Sequence, residues 1–120
     1  MAAKQVGEYS LKFTSFRYTP GPAGSVIVEG NYEGTATGFE AVMGTATVVG
    51  GKSGTLSYCS SVYLDNGDQL LGQGTGTYES IGKNRWRTHG YIHFSDGRTI
   101  VEEGEVNLAT RSWKGKISDK

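Results

Sequence analysis

The chain carries a single cysteine, Cys59, and only two prolines, Pro20 and Pro22, in 120 residues. One cysteine excludes an intrachain disulfide and any cysteine-based zinc site. Because both prolines fall in one turn, the 19 glycines do not belong to a disordered Pro/Gly tract; they sit inside strand-like runs. Charge of one sign is also missing, since 12 Lys and Arg balance 12 Asp and Glu. Nucleic acid rewards clustered basic excess, and anionic membrane does the same, so neither is an expected partner. No apolar run approaches the length of a membrane helix, and no apolar signal core follows Met1. The reading is a soluble cytoplasmic protein with one domain over residues 1–120.

Helical periodicity is absent as well: glycine interrupts every candidate apolar i, i+3, i+4 pattern. Short runs rich in Val, Ile, Thr, Tyr and Phe recur instead. They predict strands over 9–18, 25–37, 40–49, 54–64, 69–79, 85–94, 98–108 and 112–117. Two turn units, Asp65-Asn66-Gly67 and Ser95-Asp96-Gly97, sit between such runs and are strong hairpin signals. A meander of eight strands must hide its edges. The fold class is therefore all-β, a single antiparallel meander closed into a roughly eight-stranded up-and-down barrel, with a two-sheet sandwich as the alternative.

The turns also set which residues face inward. A two-residue loop Asp96-Gly97 would pair Phe94 with Thr99 and put Trp86, Ile92 and Phe94 on one face with Glu103 and Glu105. A three-residue loop with Gly97 left-handed instead pairs Phe94 with Arg98, Ile92 with Ile100, Gly90 with Glu102 and Trp86 with Val106. The second register gathers the apolar residues, and a slip of one residue would reverse every side chain. The same loop at Asp65-Asn66-Gly67 pairs Val62 with Leu70, Ser60 with Gly72 and Tyr58 with Gly74. Tyr58 and Leu56 then stand across from bare glycines, and Gly72, Gly74 and Gly76 point inward, either to bend a small barrel or to leave volume for a ligand.

In this register Glu102 lies inward beside Ile100. A carboxylate in an apolar lumen has its pKa raised and can act as a general acid or base; alternatively it belongs to a polar network with Tyr58, Tyr78 or Thr88. Tyr32, Tyr58, Tyr78, Trp86 and Trp113 are expected to line the lumen, as rings with a polar handle that suit a flat apolar ligand or simply fill the core. His89 and His93 stand about 13 Å apart by strand rise, too far to share a metal. With Arg85, Arg87 and Tyr91 they form an outer stripe. Cys59 alternates away from Tyr58, with no histidine placed to activate it. Gly50-Gly51-Lys52-Ser53-Gly54 lacks the spacing and following helix of a phosphate loop. No metal and no cofactor are expected.

Three segments carry a resemblance. Val48-Val49-Gly50-Gly51-Lys52-Ser53-Gly54 is similar to a glycine-rich turn of dirigent and allene-oxide-cyclase-like barrels. Gly76-Thr77-Tyr78-Glu79-Ser80 and Trp113-Lys114-Gly115 are similar to avidin strands, although the order and spacing differ and the Gly-x-Trp of lipocalins is absent. The chain thus resembles the calycin-like small barrels in architecture. That resemblance implies a cavity for a small apolar or aromatic molecule, and in some members cofactor-free cyclisation or isomerisation. Catalysis of that kind would use Glu102 with Tyr58 or Tyr78, and Tyr32, Trp86, Thr88, Ile100 and Trp113 would hold the ligand. The alternatives are a non-catalytic carrier of a hydrophobic ligand and a filled-core interaction module. Tyr91, Val101 and Leu71, with Phe16 and Tyr18, are expected on an outer face that supports a homo-oligomer.

Overall fold

The computed structural model describes residues 4–119, with side chains from Gly7 onward. Eight strands run in chain order: β1 Lys4–Pro20, β2 Val26–Ala36, β3 Phe39–Val49, β4 Ser53–Leu64, β5 Gln69–Gly82, β6 Arg85–Phe94, β7 Thr99–Asn107 and β8 Ser112–Asp119. Each pairs antiparallel with its neighbours, and β8 returns to β1 to close a barrel. Closure leaves no free sheet edge, which is why a meander of this composition forms a barrel rather than a sandwich.

The hairpin chemistry sets the register as the turn residues dictate. Gly97 adopts φ +97° and Gly67 φ +93°, the left-handed position of a three-residue loop. The Phe94 amide donates to the Arg98 carbonyl at 2.9 Å, and Ile92 faces Ile100, Gly90 faces Glu102 and Trp86 faces Val106. Across β4 and β5, Val62 meets Leu70, Ser60 meets Gly72 and Tyr58 meets Gly74.

The first strand departs from its expected reading. It begins at Lys4 rather than at Tyr9, and a β-bulge shifts its register between Phe13 and Ser15. Leu11 and Phe13 point into the core. After the extra residue at the bulge, Phe16 does so too, with its ring 5.2 Å from that of Phe13. Phe16 is therefore not on the outer surface. Tyr18, 65 % exposed, lies on the rim of one barrel end. The mixed phase of Leu11, Phe13 and Phe16 is the signature of that bulge.

The buried set is one contiguous cluster drawn from every strand, including Tyr9, Leu11, Tyr32, Leu56, Tyr58, Val62, Ile100, Trp113 and Ile117. Burying an aliphatic or aromatic side chain of this kind contributes about 2 kcal/mol. Among the described residues, three polar side chains are buried with them: Ser60, Thr88 and Glu102.

Candidate functional site

The waist of the barrel is a belt of polar groups wrapped in aromatic rings. Glu102, 4 % exposed, projects inward from β7. Tyr9 Oη from β1 donates to its Oε1 at 2.5 Å, Thr88 Oγ1 from β6 donates to the same oxygen at 3.0 Å, and Tyr58 Oη from β4 donates to Oε2. Trp113 Nε1 from β8 donates to Thr88 Oγ1 at 3.0 Å. An indole nitrogen can only donate, so the Thr88 hydrogen is directed to Glu102 and the chain of bonds has one polarity. Beside the belt, Tyr32 and Ser60 share a short hydroxyl–hydroxyl hydrogen bond. Among the described residues, no buried side-chain nitrogen or oxygen lacks a partner.

Glycines make the belt possible. The Tyr9 hydroxyl lies over β7 and β8, where a Cβ on Gly104 would stand 2.0 Å from it; the Tyr58 hydroxyl lies 2.4 Å from where a Gly90 Cβ would be. Only a residue without a side chain leaves room for a phenol laid flat on the wall. Trp113 is the hub of the rings. It stacks on Phe13 at 5.8 Å and on Tyr58 at 5.6 Å, and meets Tyr32 and Tyr9 edge-on at 5.3 and 6.1 Å.

Electrostatics at the belt pit burial against hydrogen bonding. Burial raises the Glu102 pKa, while the bonds from Tyr58, Tyr9 and Thr88 lower it, and burial is the larger effect. The opposing effects are of similar size: removing a carboxylate from water costs several kcal/mol even after relaxation, and each hydrogen bond to a charged group returns about 1.5–3 kcal/mol. Burial, and then the neighbouring carboxylate, push the Tyr9 and Tyr58 hydroxyls far up, so both stay protonated and remain donors. Burial pushes Tyr32 up to about 12.

The belt divides the lumen. On the side of the β2–β3, β4–β5 and β6–β7 turns lies a cavity of about 60 Å³, walled by residues such as Leu11, Phe39, Val62, Phe94 and Ile100, with Glu102 and Tyr58 at its inner limit. On the other side, at the end of the β3–β4 and β7–β8 turns, lies a mouth of about 210 Å³ lined by Phe13, Phe16, Leu56, Tyr78, Trp86, Val106 and Trp113, with Thr88 also on its lining. Glu102 lines the small cavity but not the mouth.

Four of the residues singled out in the sequence thus meet directly: Glu102, Tyr58, Thr88 and Trp113. Tyr78 does not join them. It donates to the Val49 carbonyl at 2.6 Å and sits on the mouth wall. Tyr32 touches the Trp113 ring but bonds Ser60 rather than the carboxylate. Trp86 stands half-buried in the mouth, whereas Ile100 lies in the small cavity on the far side of the belt. Tyr9 and Ser60 were missed. Tyr9 carries the same signal as Tyr58, a tyrosine set against glycine, since its partner on β8 is Gly115 and the next in the row is Gly104 on β7. Among the described residues, no group of three or more His, Cys, Asp or Glu is placed to hold a metal ion.

The chain matches no known family model, no curated protein and no solved structure, so the geometry of this belt and mouth carries the functional argument unaided.

Proposed function

We propose that the protein is a binder of compact, largely apolar small molecules, held in the aromatic mouth above the Glu102 belt. The observation that carries this reading is the mouth itself: an apolar space of about 210 Å³, open at one end of an otherwise packed barrel. Dry apolar cavities of about 150 Å³ accept a benzene ring, so this one suits a monocyclic terpenoid or a small bicyclic aromatic. Flat rings from Trp113, Phe13 and Trp86 favour a flat ligand by stacking and area burial. Carriage is favoured over catalysis because no Glu102 oxygen lines the mouth and both already accept hydrogen bonds from the protein. A general base must reach the proton that it takes, and here the carboxylate is screened by Thr88 and Trp113.

Fluorescence titration of Trp86 and Trp113 with naphthalene, 1-naphthol, menthol and a long-chain fatty acid tests the reading. Saturable change with the compact compounds, weakened in Trp86→Phe and abolished in Val106→Trp, is expected. A flat response to all four, from protein whose circular dichroism is that of a folded barrel, would rule out an open mouth and leave a filled barrel that works through its exterior.

A further inference from the structure

The two ends of the barrel carry opposite charge. The β1–β2, β3–β4, β5–β6 and β7–β8 turns close the end that holds the mouth. Their residues, 21–25, 50–52, 83–84 and 108–111, include Lys52, Lys83 and Arg111 and no Asp or Glu. The turns of the other end, 37–38, 65–68 and 95–98, hold Asp65, Asp68 and Asp96 against one cation, Arg98, which Asp96 already binds at 2.9 Å. Carboxylates near the mouth end are matched: Glu79 binds Arg87, Glu105 binds Arg85, and Glu29 stands opposite Arg17. Among the described residues, Lys52, Lys83 and Arg111 form no ion pair. Arg111 is the one held at the opening. Its guanidinium carbon lies 5.8 Å from the centre of the Phe16 ring, and Phe16 lines the mouth. The turn fixes it there. Arg111 takes φ +56°, a left-handed conformation that costs a residue with a side chain. Its carbonyl accepts from the Phe13 amide at 2.8 Å, and Asn107 Oδ1 accepts from the Ala109 amide at 2.9 Å.

We propose that the mouth selects a compact aromatic carboxylate, with its ring toward Trp113 and its carboxylate at the rim against Arg111. This rests on the mouth being a ligand site and adds the head group. The floor of the mouth does not suit an anion. The Trp113 N–H is directed to Thr88, the Thr88 hydrogen to Glu102 and the Tyr78 hydrogen to the Val49 carbonyl. Glu102, when ionised, repels a second carboxylate from below. The rim does suit one. A guanidinium binds a carboxylate through two parallel N–H···O bonds, and its weak hydration lets it act beside apolar surface such as the Phe16 ring. Lys52 and Lys83 add charge of the same sign at that end of the barrel. Such a field raises the local concentration of anions and their rate of entry, although the chain as a whole has a formal net charge of zero.

Isothermal titration calorimetry with 2-naphthoate and its neutral counterpart 2-naphthalenemethanol tests this. At about 20 mM salt the naphthoate is expected to bind several-fold more tightly than the alcohol, and at about 300 mM salt that preference should shrink. Arg111→Asn removes the charge with a residue that tolerates the left-handed backbone, and is expected to abolish the preference. Arg98→Asn makes the same change at the other end of the barrel and is expected to keep it. An alcohol that binds as tightly as naphthoate at low salt overturns the head-group assignment and leaves the open mouth standing. So does a preference that survives Arg111→Asn. Binding of neither compound overturns the ligand site itself, and this proposal with it.

Discussion

Replacing Glu102 by glutamine should remove a pH dependence of stability whose sign is set by burial. In the folded barrel Glu102 has a pKa raised above its ordinary value of 4.5, with burial as the main cause. Between that ordinary value and the higher folded one, the native state holds a proton that the unfolded state has lost. Stability then falls as pH rises through the window, with a limiting slope of about 1.4 kcal/mol per pH unit for one proton. Below the window both states are protonated and the contribution is fully present. The groups facing Glu102 do not reverse this. Tyr9 and Tyr58 stay protonated, Thr88 and Trp113 do not titrate, and His89 on the outer face favours the ionised carboxylate only when it is itself protonated. Glu105, lowered by its bond from Arg85, acts with the opposite sign and below the window. Urea unfolding, followed by tryptophan fluorescence from pH about 4.5 to about 8, should show the stability difference, wild type minus Glu102→Gln, falling as pH rises. A difference that is flat, or that rises with pH, would refute the reasoning. A rise would mean that three hydrogen bonds outweigh burial at this carboxylate.

Three further outcomes follow from the same belt. Tyr58→Phe removes a donor to Glu102 and should cost about 1.5–3 kcal/mol where the carboxyl is ionised, with a smaller loss at low pH where it is protonated; parallel urea curves across the pH range check it. Gly104→Ala drives a methyl group against the Tyr9 hydroxyl and the Lys114 carbonyl, at 2.0 and 2.6 Å, and should cost about 1–3 kcal/mol. Adding Tyr9→Phe should recover part of that loss, as a thermal-melt double-mutant cycle would show. Acrylamide should quench Trp86 in a Trp113→Phe variant far more strongly than Trp113 in a Trp86→Phe variant, because Trp113 is 3 % exposed and Trp86 stands half-buried in the mouth.

Most of the fold was legible because turn chemistry and face periodicity agree. Ser95-Asp96-Gly97 fixes a register, and only one register gathers Trp86, Ile92 and Phe94 with Ile100 and Val106. The first strand was harder, since a bulge at Thr14 leaves no local mark except a phase change between Phe13 and Phe16. At the belt, Glu102, Tyr58 and Thr88 could be placed from register because they lie on hairpins of known pairing, whereas Trp113 was expected inward only as a ring suited to a lumen. Tyr9 could not: its contact with Glu102 crosses 93 positions and depends on closure of β1 against β8. Tyr78, one of the alternatives expected near Glu102 with Tyr58 and Thr88, lies away from it for a related reason. Register shows which face a ring occupies but not how far along the barrel axis its hydroxyl reaches, and that hydroxyl ends at Val49 on the rim.

In the proposed reading a compact ligand sits in the mouth while the belt stays closed beneath it. The most direct test is NMR of the protein with 1-naphthol, using its two tryptophans as reporters. Both indole N–H resonances should shift, and the ligand should show contacts to Phe16, Trp86 and Val106. Contacts to Ile100, Val62 and Phe94 in the small cavity, or no shift of either indole, would contradict it.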